Sequence, residues 1–143
     1  MVVNNLFKSH LTGKICPYCG KASELIDSIE VYGKSYGNMY ICRDCNAYVG
    51  CYSGTDVALG RLANEELRKA KQRAHHYLGQ LWSPNIHKRY SIYKWLSTAL
   101  GIPRNLTHIG MSDVDQCNRI AELSIEKLQA EGIEYVPWPE DNL

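Results

Sequence analysis

Two Cys-x-x-Cys pairs, Cys16-Pro-Tyr-Cys19-Gly20 and Cys42-Arg-Asp-Cys45-Asn46, are separated by 22 residues. A CxxC turn holds two thiolates about one tetrahedral edge apart, and the residue after the second Cys needs a positive φ, which Gly and Asn adopt most readily. Gly20 and Asn46 occupy those two places. Four thiolates saturate tetrahedral Zn²⁺ and leave no open position for water or substrate. The spacing therefore predicts one structural zinc held by Cys16, Cys19, Cys42 and Cys45. A disulfide pair, a redox CxxC and an iron site are the competing readings of the same cysteines. The first residues lack a basic segment followed by an apolar run, and no apolar stretch approaches the ~20 residues that span a bilayer. The expectation is a cytoplasmic protein with no membrane partner, where metal is favoured over disulfides.

The chain has 143 residues, 45% hydrophobic and 22% charged, the balance of an ordinary globular protein and the size of one compact domain over 1–143. Between the CxxC pairs, 25–32 and 39–42 are rich in Ile, Val and Tyr around a glycine-bearing turn, which predicts a β-hairpin; 47–52 supplies a third strand. From Asn64 the apolar period changes to helical. Leu67, Ala70, Ala74, Leu78 and Leu81 make one stripe that ends near Trp82, before Pro84. A second helix is expected over about 91–100, with Ile92, Trp95, Leu96, Ala99 and Leu100 inward and Gly101 with Pro103 as its stop. A third begins at Ser112, paired with Asp115 in the manner of a capping box, and runs to Gly132 with Val114, Cys117, Ile120, Ala121, Ile125 and Leu128 inward. The prolines of 135–139 forbid helix, and 140–143 is expected to fray. The fold class is thus α+β: an N-terminal zinc ribbon of three short antiparallel strands (14–52), a segment of about three helices (58–131) and an irregular tail (132–143).

Charge is unevenly spread. Residues 61–90 carry seven basic and two acidic side chains, while 111–143 carry two and eight, within a net charge of +1. A basic helix beside a zinc ribbon is a platform for nucleic-acid phosphate, with Arg61, Arg68, Lys69, Lys71, Arg73, Lys88 and Arg89 as candidate contacts and the ribbon tyrosines as stacking surfaces. Equally, lysines and arginines can simply solvate an amphipathic helix, and tyrosines suit strands. Partners from either of two classes fit: DNA or RNA on the basic face, or a host protein such as transcription or replication machinery on the acidic third helix (Asp113, Asp115, Glu122, Glu126) or the Trp138 tail. A small-molecule substrate is not expected. Acid–base chemistry would fall to His75, His76 and His108 with Asp113 or Asp115, but no nucleophile elbow, phosphate loop or HExxH accompanies them, so the reading is a non-enzyme. A second zinc site could draw only on Cys51, Cys117, His108 and His75 or His76, which lack ligand spacing.

Several motifs in linear order also carry a resemblance: CPYCG at 16–20, VYGKSYG at 31–37, YICRDCNAYVG at 40–50, LGRLANEELR at 59–68, YKWLSTALGI at 93–102 and HIGM at 108–111. Over about 14–125 the chain resembles a small zinc-finger-containing domain family of unknown function found in bacteria and their phages. The resemblance implies zinc at Cys16, Cys19, Cys42 and Cys45 and implies no activity. His75, Trp95, His108 and Cys117 match the family pattern without acquiring a role from it.

Overall fold

In the computed structural model, which describes residues 12–83 and 85–142, β2 (Asn38–Cys42) is the middle strand of an antiparallel sheet, with β1 (Glu24–Asp27) on one side and β3 (Ala47–Gly50) on the other. The register pairs Leu25 with Tyr40, Tyr40 with Val49, and Cys42 with Ala47. Side chains alternate across a strand, so Tyr40, Cys42, Ala47 and Val49 share one face. That face packs with Cys16, Leu62, Cys51 and Ala58 into the core of this part of the chain. Gly13 crosses beside it at φ 75°, where a Cβ would lie 2.8 Å from that of Ala58. The Ser23 hydroxyl donates to the Gly13 carbonyl and so pins this approach.

The first strand is shorter than its β-rich composition predicts. Asp27 accepts the Ile29 N–H on its carboxylate (2.9 Å), and buried Ser28 accepts the Tyr36 N–H on its hydroxyl and the Val31 and Tyr32 N–H groups on its carbonyl. These local bonds compete with the sheet ladder and turn 29–32 into one helical turn, α1 (Ile29–Tyr32). The expected third strand likewise stops at Gly50, after which Cys51 makes an isolated bridge to Ala58 around a turn.

Three longer helices follow: α2 (Glu65–Gly79), α3 (Arg89–Leu100) and α4 (Val114–Ala130). The chain divides into two compact units, one up to Glu66 and one from Leu67. On α2 the predicted stripe is buried, joined by Tyr77. Beyond Gly79 the chain tightens to hydrogen bonds from Leu81 to Leu78 and from Trp82 to Gly79, three residues apart. The expected stop, Pro84, lies outside the described residues. Ile92, Tyr93 and Leu96 are the buried positions of α3. It ends at Gly101, φ 70°, whose N–H bonds the Thr98 carbonyl while Ile102 bonds Ser97. Those two bonds satisfy carbonyls the helix leaves open. Gly132 and Ile133 repeat the device after α4.

Capping of α4 falls one residue later than expected. Asp113 is its N-cap, accepting the Gln116 N–H at 2.8 Å, because Ser112 is buried with its hydroxyl committed to the His108 carbonyl and the Gln116 side chain. α3 and α4 pack antiparallel: Arg119 reaches the Ala99 carbonyl and the Lys127 ammonium sits 4.8 Å from the Trp95 ring centre. Trp95, assigned inward by its period, is therefore half-buried. Cys117, Ile120, Ala121 and Leu128 fill the inner face, and Ser124 joins them by donating to the Ile120 carbonyl.

Of the residues expected to fray, 140–143, Asp141 is held by side chains of α2, and Leu143 lies outside the described residues. The Gln80 amide exchanges two hydrogen bonds with the Val136 backbone, 3.0 and 2.8 Å, as a neighbouring strand would. His76 Nε2 lies 2.6 Å from the Val136 carbonyl and stacks edge-on with Trp138. The Tyr77 hydroxyl takes the Trp138 N–H and donates to Asp141, which also receives Arg73 at 2.9 Å. Prolines that forbid helix leave these backbone groups without helical partners, and α2 side chains supply replacements.

Burial opposes ionisation of Asp141, but the Tyr77 hydroxyl and the Arg73 and His76 charges outweigh it, holding the carboxyl below its ordinary range. A depressed pKa contributes stability above the unfolded-state value of about 3.9 and loses it as pH falls through the folded one. Asp141→Asn is expected to cost about 1–2 kcal/mol at pH 7 and to flatten the acid limb of the stability curve. Thermal melts followed by tryptophan fluorescence from pH 7 to pH 3 check both; equal melting temperatures at pH 7 would contradict the docked tail.

Candidate metal centre

Each CxxC pair sits in a turn of the sheet unit. The first knuckle is a small loop closed by the Ile15–Ala22 bridge, with the Cys16 N–H on the Lys21 carbonyl and the Gly20 N–H on the Cys16 carbonyl, both 2.9 Å. The second is the connection from β2 to β3, closed by the Cys42–Ala47 pair. Gly20 has φ 77° and Asn46 φ 50°, and among the described residues Asn46 alone combines positive φ with a side chain. The left-handed backbone expected after each pair is thus present at both. It reverses the chain within one residue and turns both thiols of a pair the same way.

All four sulfur atoms lie within 4.8 Å of one another, and Cys19 and Cys42 are 3.7 Å apart. A tetrahedral ion with metal–sulfur bonds of about 2.3 Å needs edges of about 3.8 Å, so the cluster is sized for Zn²⁺ with a small contraction. The donor set consists of thiolates alone, which is the set zinc favours. Cys16 and Cys42 are buried, Cys45 half-buried and Cys19 exposed. Burial raises the Cys16 thiol, whereas the Lys21 N–H lowers Cys19 by bonding its thiolate. Loss of solvent and the company of the other thiols push Cys45 up to about 12. Four negative charges cannot gather at this spacing without a cation, and a cation has no vacant coordination place once they do.

The family model for the zinc-finger-containing domain matches residues 12–127, most of the chain and all four cysteines. The chain belongs to that family. No curated protein and no solved structure matches it significantly. Among the described residues of this zinc-finger protein, the four cysteines are the only group of three or more His, Cys, Asp or Glu that could hold a metal ion. Cys51 pairs instead with Ala58 in the first unit, and Cys117 is fully buried on α4 in the second.

The seven basic candidates are not equivalent. Arg61 lies in the first unit, half-buried; the other six lie in the second. Lys69, Lys88 and Arg89 are exposed, and Arg68, Lys71 and Arg73 half-buried. Arg73 is held by Asp141 and the Tyr77 ring, and Lys71 reaches the Gly110 carbonyl at 3.3 Å. Arg89 lies over Trp82 and Tyr93. Of the acid–base candidates, Asp113 is spent on capping α4, His76 on Val136, and His75, His108 and Asp115 are exposed. Sequence reasoning passed over Arg104, which the fold brings to the same Tyr93 ring as Arg89. No helical period links residues fifteen apart across a turn.

Cys42→Ser is expected to lose stoichiometric metal and to unfold the sheet unit, since structural metal binding and folding are coupled. Elemental analysis with circular dichroism checks this; retained metal and an unchanged melt would contradict it. Because the Cys45 thiol is raised, loading must release protons, so apparent zinc affinity should rise with pH between 6 and 8. Competition with a chromogenic chelator at three pH values reads that slope, and a flat profile would remove the thiols from the site.

Proposed function

We propose that this chain is a nucleic-acid-binding module whose sheet unit is held by one structural Zn²⁺ at Cys16, Cys19, Cys42 and Cys45. When bound, the ion supplies folding energy and no reactive position, because the four thiolates fill its coordination. The observation that carries the reading is charge segregation. From Leu67 to Ser112 there is no Asp or Glu, while Arg68, Lys69, Lys71, Arg73, Lys88, Arg89, Lys94 and Arg104 fall in that stretch. Acidic residues flank it on both sides, from Glu24 to Glu66 and from Asp113 to Asp141. Arg73 in this stretch pairs with Asp141.

A segment with one sign of charge attracts polyanions and releases their counterions on contact, independent of sequence. Arg68, Lys69 and Lys88 fit phosphate contacts of that kind. A second reading, a protein-binding adaptor in host transcription or replication, draws on Leu25, Ile29, Tyr32 and Tyr36, which are 44–70% exposed around α1. Such apolar exposure suits a protein surface.

Fluorescence anisotropy of labelled single- and double-stranded DNA and RNA at 50 and 200 mM salt separates the two. Binding that weakens by about tenfold or more with salt, and again in an Arg68→Glu, Lys69→Glu double variant, supports the first. Zinc-loaded protein that binds none of the four nucleic acids at 50 mM salt moves the assignment to the adaptor.

A further inference from the structure

The second unit holds a groove of about 380 Å³ lined by Ile86, His87, Arg89, Tyr90, Arg104 and His108 over a floor that includes Tyr93. Its floor is rigid: Tyr93 is 5% exposed and its ring packs against Trp82, centres 5.6 Å apart. Both guanidinium groups rest on that ring, Arg104 at 4.8 Å and Arg89 at 5.3 Å from its centre. The ring orients them and cancels neither charge. Neither arginine forms an ion pair with a carboxylate among the described residues, and the buried Nε of Arg104 has no hydrogen-bond partner there. Two like charges are therefore held on one aromatic platform inside the acid-free stretch. Partial desolvation at the groove, then the Arg104 and Arg89 charges, lower the His108 pKa. At the rim, Tyr90 is 70% exposed and Ile86 69%.

We propose that this groove binds one nucleotide of a single-stranded nucleic acid, its phosphate on Arg89 and Arg104 and its base stacked on Tyr90. The inference rests on the nucleic-acid reading above and assigns it a place distinct from the face of α2. Two guanidinium groups lining one groove, neither committed to a carboxylate among the described residues, match the oxygens of a phosphodiester. An exposed ring beside them offers a base a π-face, which a strand can use and a duplex, with its bases stacked inside, cannot. A volume near 380 Å³ falls at the small end of ligand pockets, roughly 300–1,000 Å³, fitting one unit of a polymer rather than several.

The test uses the full zinc-loaded chain with labelled ten-residue oligo-dT and oligo-rU, a duplex of equal length, and inorganic phosphate as competitor. Tyr90→Ala, at a site exposed enough to leave melting and metal content unchanged, should weaken single-strand binding about fivefold or more and leave the duplex unaffected. Arg104→Gln should weaken it too and lower the slope of log affinity against log salt by about 0.7, the loss of one phosphate contact. Single-strand affinity unchanged in both variants but abolished by Arg68→Glu with Lys69→Glu would overturn the groove and leave the nucleic-acid reading standing. Absence of binding to every strand and duplex would overturn both. Displacement of the strand by low millimolar phosphate, with Tyr90→Ala silent, would overturn base stacking and make this an anion site.

Discussion

Four thiols brought within 4.8 Å of one another are the constraint from which the sheet unit follows. The three strands are four or five residues long; one face of the sheet contributes Tyr40, Cys42 and Ala47, with Cys16 and Leu62 beside it, and the other buries Met39 and Ile41. Such a small apolar core stabilises a β module poorly. Structural zinc in comparable small modules contributes on the order of 10 kcal/mol, enough to substitute for the missing core. Two cysteines of the cluster, Cys16 and Cys42, are themselves core residues. The metal centre and the hydrophobic cluster are therefore one object, and the positive φ of Gly20 and Asn46 is the local conformation that lets both knuckles face it.

The second unit is held differently, by apolar helix faces and by local satisfaction of backbone groups. Its C-terminal segment shows the second device clearly. Residues 135–138, ahead of a 3-10 turn at Pro139–Asn142, lie in neither helix nor sheet, and the Val136 and Trp138 backbone groups bond to Gln80, His76 and Tyr77. One consequence is electrostatic. Asp141 neutralises Arg73 on α2, while no acidic residue lies between Leu67 and Ser112 to do the same for Arg89 and Arg104. Docking of the tail thus divides one run of positive charge into a part committed to structure and a part presented beside aromatic rings.

Several elements were legible because their causes are local. The CxxC spacing, the Gly20 and Asn46 turns, the α2 stripe from Leu67 to Leu81 and the stop at Gly101 all depend on residues within one or two turns of chain. Where expectation and structure part, a side chain formed a bond that pattern does not encode. Asp27 and Ser28 captured backbone N–H groups and converted half a strand into α1. Burial of Ser112 passed the capping of α4 to Asp113.

The sequence by itself determined which four cysteines cluster, the α+β order of elements and the sign of charge along the chain, because each follows from residue type and short-range spacing. Only the tertiary structure decided which cations remain available. Arg73 and Arg89 look alike in the sequence, each four residues before a helix-borne tyrosine, Tyr77 and Tyr93. Arg73 is paired because residue 141 returns to it, and Arg89 shares the Tyr93 ring with Arg104 because the chain turns back after Gly101. Such meetings arise from how helices pack over long separations, where no periodicity in the sequence records them.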